Sequence, residues 1–162
     1  MVIEWVINNL LSKSSLGIRL YRGRFIINGS FFHILKKDHL TVQGEKGYAM
    51  VRGTHCVRAD YWADRSWYYE VELLSLPAVN DAAVRVGFAQ AQADGQCPVG
   101  YDGFGYAIRS RKGTVFHQAK GKSYTAKKEG FEEGDVIGCE IFIPKGNNEC
   151  LQMGDFCKRK YK

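Results

Sequence analysis

Residues 84–90 read V-R-V-G-F-A-Q, and residues 91–118 continue A-Q-A-D-G-Q-C-P-V-G-Y-D-G-F-G-Y-A-I-R-S-R-K-G-T-V-F-H-Q. Val84, Val86 and Phe88 alternate with Arg85 and Gly87, the period of a half-buried strand. A Gly- and Asp-rich loop follows from Ala91 to Gly103 and holds Pro98 and Tyr101. A second alternating run places Phe104, Tyr106 and Ile108 on one side and Gly105, Ala107 and Arg109 on the other. If the apolar members of both runs face one core, Arg85 and Arg109 face away from it on the same side of one sheet. Arg111 and Lys112 close the stretch before Gly113. Arginines beside an aromatic loop suit an acidic ligand, because the guanidinium fork matches carboxylates and phosphates. Two solvated strand faces would give the same spacing.

Outward from this stretch the chain reads as one domain. Its 162 residues suffice for a real core. Hydrophobic content is 45% and charged content 25%, as in ordinary soluble globular domains. Eighteen glycines, together with alternating aromatics, favour strands over helices. The net charge is +6, but the last five residues, K-R-K-Y-K, carry four positive charges and leave +2 for the rest. That distribution argues against a whole-surface nucleic-acid binder and for a basic tail plus one basic patch.

Cys56, Cys97, Cys139, Cys150 and Cys157 are odd in number and form no C-x-x-C, and no secretory leader is expected. Reduced thiols in a cytosolic or nuclear protein are expected. Cys139 falls in an apolar alternation and reads as core. His33, His39, His55 and the cysteines lack ligand spacing, so no metal and no cofactor is expected. Residues 1–11 are too short and too polar for a membrane span or a signal peptide.

Val2/Ile3, Val6/Ile7 and Leu10/Leu11 recur at helical spacing, which predicts a short amphipathic helix over 2–11. Asn28-Gly29 between apolar runs predicts a hairpin at 24–34. Strands are expected around Leu40 and Val42, over 48–52, 67–74 and 114–118, and from Ile137 to Ile143, where Pro144 stops the run. In the last, Ile137, Cys139, Ile141 and Ile143 form an inward face. Trp67, Tyr69, Val71 and Leu73 form another. Residues 53–66 read as irregular, Gly121 to Gly134 as a lysine-rich loop, and 145–162 as a polar basic tail. Many short strands with turn signals indicate an all-β antiparallel sandwich.

L-T-V-Q-G-E-K-G-Y-A-M-V-R (40–52) resembles the opening of a SPRY domain. W-Y-Y-E-V-E (67–72), V-R-V-G-F (84–88), P-V-G-Y-D-G-F-G-Y (98–106), R-S-R-K-G-T-V-F-H-Q (109–118) and G-D-V-I-G (134–138) continue the resemblance in order. G-E-K-G-Y and R-S-R-K-G-T-V-F-H-Q narrow it to the Ash-type (absent, small or homeotic discs) subunit of Trithorax/COMPASS histone H3 lysine methyltransferase complexes. The resemblance covers residues 38–144 and implies a SPRY (B30.2-like) β-sandwich that docks a partner and is not an enzyme. Residues 1–37 do not match, and A-D-Y-W-A-D-R-S (59–66) is longer than the family's turn. The matching part stops early, so the sandwich is expected to be incomplete at the C-terminus, with the face around Ile137, Ile141 and Ile143 uncovered unless residues 2–34 cover it.

The resemblance further implies a nuclear protein that grips an acidic, sometimes phosphorylated, segment of the retinoblastoma-binding WD-repeat subunit. The pair would then stimulate a SET-domain methyltransferase. The gripping residues would be Tyr48, Arg85, Pro98, Tyr101, Arg109 and Arg111. The rivals are a basic nucleic-acid binder and a general SPRY peptide binder unrelated to methylation. Arg109-Ser110-Arg111-Lys112 and the tail could touch phosphates, but no helix-turn-helix, RRM or zinc-finger pattern supports sequence reading. Glu70 and Glu72 read as a solvated strand face rather than an acid–base pair. His55-Cys56 lacks an orienting partner for nucleophilic catalysis. Gly100, Gly103 and Gly105 lack phosphate-loop spacing.

Overall fold

The computed structural model describes residues 2–11, 16–20, 25–27, 32–34, 40–44, 47–58, 62–76, 83–124, 129–145 and 152–159. Its strands are β1 (Val2–Leu11), β2 (Leu16–Leu20), β3 (Phe25–Ile27), β4 (Phe32–Ile34), β5 (Thr41–Gly44), β6 (Gly47–Arg58), β7 (Arg65–Ser75) and β8 (Ala83–Gln90). They continue as β9 (Gly105–Arg109), β10 (Thr114–His117), β11 (Lys120–Ser123), β12 (Val136–Ile143) and β13 (Gln152–Arg159). They form a seven-stranded sheet in the order β11-β10-β9-β8-β1-β6-β3 and a six-stranded sheet in the order β13-β12-β7-β2-β5-β4. Every described ladder is antiparallel.

The two sheets meet through the faces that alternation predicts. Val84, Val86, Phe88, Ile108 and Val115 come from the larger sheet, and Tyr69, Val71, Leu73, Ile137, Cys139, Ile141 and Ile143 from the smaller. Burying each Leu, Ile or Val side chain in this layer stabilises the fold by about 1.5–3 kcal/mol. Tyr69 also bridges the sheets. Its ring meets Phe88 edge to face at 5.3 Å, and its hydroxyl donates to the Gly87 carbonyl at 2.6 Å. Burial, and then its neighbour Cys139, pushes the Tyr69 phenol well above its ordinary range. Burial likewise pushes the Cys139 thiol up to about 12.

Three expectations need correction. Residues 2–11 are not a helix but a central strand, paired with β6 on one side and β8 on the other. Doublets at i and i+4 fit a helix, yet Val2, Ile3, Val6 and Ile7 are β-branched, and pairing on both edges decides for the strand. The 24–34 stretch is not a two-stranded hairpin, because β3 pairs with β6 in one sheet and β4 with β5 in the other. Asn28 and Gly29 themselves lie outside the described residues. The segment read as irregular from residue 53 continues β6 to Arg58, with a register shift opposite Glu4 and Val6. The face around Ile137, Ile141 and Ile143 meets the condition set for it: the opposing sheet includes β1 from residues 2–11, and each of the three is at most 2% exposed. The smaller sheet also extends past it to β13, within a segment that shows no periodicity.

Candidate functional site

The register of the larger sheet builds the site row by row. One row runs Met50, Asn8, Arg85, Arg109, Thr114 and Ser123 across six strands. The next runs Arg52, Val6, Gly87, Ala107, Phe116 and Gly121. Residues directly opposite share a face, as do residues two apart. Arg52, Arg85, Arg109 and Phe116 therefore stand together on the side away from the inter-sheet core.

That side is not bare. The 91–104 loop folds back over it, and Ala93 and Val99 pack with Met50, Ala89 and Ala107 in a small separate cluster. Arg52 fastens the start of the loop, donating to the carbonyls of Gln90 at 3.3 Å and Ala93 at 2.9 Å. Asp102 closes its far end by accepting from the Asp94 and Phe104 amides at 3.1 and 2.9 Å. The middle of the loop reaches the hairpin of β10 and β11: the Gln118 amide donates to the Asp102 carbonyl and the Ala119 amide to that of Gly100, both at 3.1 Å. Gly100 has φ +81, and a Cβ there would come within 2.5 Å of the Phe116 carbonyl oxygen, so only glycine lets the loop approach.

The arginines are held at the edge of this roof. Arg85 donates to the Val99 carbonyl at 2.9 Å, and its guanidinium lies 3.9 Å from the centroid of the Phe116 ring. The Arg109 guanidinium lies 4.8 Å from the same centroid. One ring thus faces two cations, each attracted by its π face. The Arg109 Nε is buried with no hydrogen-bond partner among the described residues. Burial, and then the charge of Arg111, lowers the pKa of Arg109. Paired cations with buried donors favour an anion in front of them.

Of the expected site residues, Arg85 and Arg109 are brought directly opposite each other. Arg111 is exposed on the turn that follows β9. Pro98 and Tyr101 flank the carbonyl that holds Arg85. The Tyr101 amide donates to the Pro98 carbonyl at 2.9 Å, and Tyr101 is 56% exposed. Position 48 falls in register with Leu10, which is also opposite Ala83, two residues along β8 from Arg85.

Sequence reasoning missed Phe116 and Arg52. The signal for Phe116 was present in the β9–β10 pairing, where Thr114 sits opposite Arg109 and Phe116 falls two residues on. The β10–β11 hairpin was missed because its turn uses Gln118 and Ala119 at φ 51 and 59, without the usual Asn or Gly. Left-handed backbone at these residues costs about 1–2 kcal/mol each, and the two loop hydrogen bonds hold it in place. No cluster of three or more His, Cys, Asp or Glu side chains that could hold a metal ion occurs among the described residues.

The chain matches the SPRY domain family over residues 66–147. It is 41% identical over 111 residues to "Set1/Ash2 histone methyltransferase complex subunit ASH2" of Drosophila melanogaster, covering 68% of this chain and 18% of that protein. It is 41% identical over 104 residues to "Set1/Ash2 histone methyltransferase complex subunit ash-2" of Caenorhabditis elegans, covering 64% and 17%. It is 30% identical over 110 residues to "Set1 complex component ash2" of Schizosaccharomyces pombe, covering 67% and 16%. The chain thus spans less than a fifth of the length of these curated relatives. The family match takes in just over half of the chain, including β8, the roof loop and the β9–β10 pair that carry the arginines, and on that ground the chain belongs to the SPRY domain family, with Ash2-type subunits among its relatives.

Proposed function

We propose that the chain is a non-catalytic docking module of a nuclear histone H3 lysine methyltransferase complex. It binds an acidic segment of the retinoblastoma-binding WD-repeat subunit and so helps stimulate the SET-domain enzyme. The observation that carries this reading is the pair of guanidiniums, Arg85 and Arg109, stacked on Phe116 at the edge of the loop. An acidic side chain placed before them would complete a charge-assisted, bidentate contact. Pro98, Tyr101, Tyr48 and Arg111 would position the peptide backbone and exclude water around that contact. The names of the relatives supply the complex, and the local chemistry supplies the sign of the ligand.

The test is a calorimetric titration of the full chain with an acidic peptide, alongside pull-down of the purified WD-repeat subunit. Saturable binding that Arg85→Ala removes is expected. Duplex DNA serves as the competing ligand. Its affinity should fall steeply with salt through counterion release, whereas pocket binding should persist. Tighter binding to DNA than to the peptide at physiological salt, insensitive to Arg85→Ala, would overturn the reading. Methyl transfer by the chain alone would do so as well.

A further inference from the structure

The outer face of the six-stranded sheet carries a second kind of surface. Tyr68 on β7 is 45% exposed and Phe142 on β12 is 41% exposed. The register sets Glu140 opposite Tyr68 and Phe142 opposite Ser66, so these four residues and Glu70 share the face. Trp62, in the turn before β7, is 84% exposed. The Lys145 amide donates to Asp64 Oδ1 at 2.8 Å, which draws that turn to the end of β12 just beyond Phe142.

The phenolic end of Tyr68 lies over Gly138, where a Cβ would come within 2.3 Å of the phenolic oxygen. The Tyr68 hydroxyl donates to Glu70 Oε1 at 2.6 Å, and the Ser66 hydroxyl donates to a carboxylate oxygen of Glu140. Both carboxylates are therefore oriented, and a carboxylate can accept about four hydrogen bonds. The outward positions of the β7–β12 ladder hold Glu70, Glu72 and Glu140 and no basic residue. Positions Arg19 and Arg159 fall beside Glu72 and Val136, at the far end. Arg65 and Lys145 border the near end, so a visiting cation is favoured over Tyr68 and the Glu70 and Glu140 carboxylates rather than at either end.

We propose that this face docks a lysine- or arginine-bearing extended segment of a partner protein, one cation lying against the Tyr68 ring between Glu70 and Glu140. Aromatic rings and carboxylates together select a cation over a purely apolar partner. The sheet carrying it is not the one that carries the arginines, so both surfaces can be occupied at once.

The test is to titrate the full chain with a short end-capped peptide of alternating lysine and alanine at fixed ionic strength. Glu140 is exposed and Phe142 half exposed, so Glu140→Lys and Phe142→Ser should fold; thermal melts confirm this. Glu140→Lys should weaken peptide binding by about tenfold or more, with Glu140→Gln in between. Acidic-peptide binding should be unchanged in the same variants, which keeps this proposal separable from the arginine site. Equal binding of the basic peptide to wild type and Glu140→Lys overturns the proposal, as does the absence of saturable binding. Sedimentation showing concentration-dependent dimers that Phe142→Ser dissolves would assign the face to a second copy of the chain and overturn it too.

Discussion

On the seven-stranded sheet, the outer face holds Arg85, Arg109 and Phe116 under the edge of the 91–104 loop, with small residues Gly87, Ala89 and Ala107 buried beside them. On the six-stranded sheet, the outer face of β7 and β12 is open, and its tyrosine, phenylalanine and glutamates meet solvent. The two faces arise from the same two-residue period. The difference lies in what is laid over them. A loop with its own apolar contacts turns a solvated strand face into a roofed one, on which Arg85 is held by a carbonyl and both arginines lie against one ring. Such preorganisation lowers the entropy cost of binding. On the open face, side-chain hydrogen bonds orient the groups, Ser66 to Glu140 across the strands and Tyr68 to Glu70 along β7.

The largest expected break in this contrast is Arg85→Ala. If the proposed acid is desolvated against it, acidic-peptide binding should weaken by about 2–5 kcal/mol, because the acid is left buried without its partner. Arg85→Lys should recover only part of the loss, since a point charge replaces a fork. Calorimetry of both variants reads the difference directly.

Next is the roof itself. Gly100→Ala puts a Cβ against the Phe116 carbonyl at positive φ and should cost about 1–3 kcal/mol of stability. Denaturant melts and amide exchange at Ala119, which donates to the Gly100 carbonyl, would report it. An unperturbed Ala119 amide would mean that the loop is not held as described.

The layer between the two faces gives a pH test. The Cys139 thiol ionises near 9.0 when unfolded but is held up to about 12 by burial in the native chain. Its contribution is therefore fully present below pH 9.0 and is lost as pH rises toward about 12. Across that window the native state binds the extra proton, so stability should fall by about 1.4 kcal/mol per pH unit. Tyr69, also raised, steepens the fall above 10.0. Alkaline melts of wild type and Cys139→Ala should differ in slope.

Phe116→Leu should be milder, about 1 kcal/mol of acidic-peptide affinity, because it removes the ring from both guanidiniums but keeps an apolar side chain. Smallest of all, replacing Lys158 and Lys160 together should change peptide affinity by less than about 0.5 kcal/mol and mainly flatten its salt dependence. If these two replacements cost more than Arg85→Ala, diffuse electrostatics rather than the roofed face governs binding.

Much of this was legible in the residues. The alternation of Val84, Val86 and Phe88 placed Arg85 outward, and the run from Ile137 to Ile143 showed its buried side. Periodicity fails where two periods coincide, as in β1, whose doublets suit a helix until neighbours on both edges claim the backbone. It also fails where turn chemistry is unusual, as at Gln118-Ala119, whose left-handed backbone is imposed by the loop rather than by its own side chains. Roofing is a tertiary matter. No local pattern says that Val99 will lie on Ala107, or that Arg52 will reach across to the Ala93 carbonyl, so the outward face read as open.

Cys97 and Cys139 sit at different depths, and that gives the molecule a built-in gauge of its own breathing. Cys97 lies half exposed in the roof loop, where its thiol donates to Asp94 Oδ2 at 3.3 Å and this carboxylate raises its pKa. Cys139 lies fully enclosed between the sheets. Alkylation resolved by peptide mass mapping should label Cys97 at a rate set by its small thiolate fraction and by loop excursions. Cys139 should wait for the sheets to part, and its labelling rate should track global unfolding. The gap between the two rates would measure how far the roof loop can open while the sandwich beneath it stays shut.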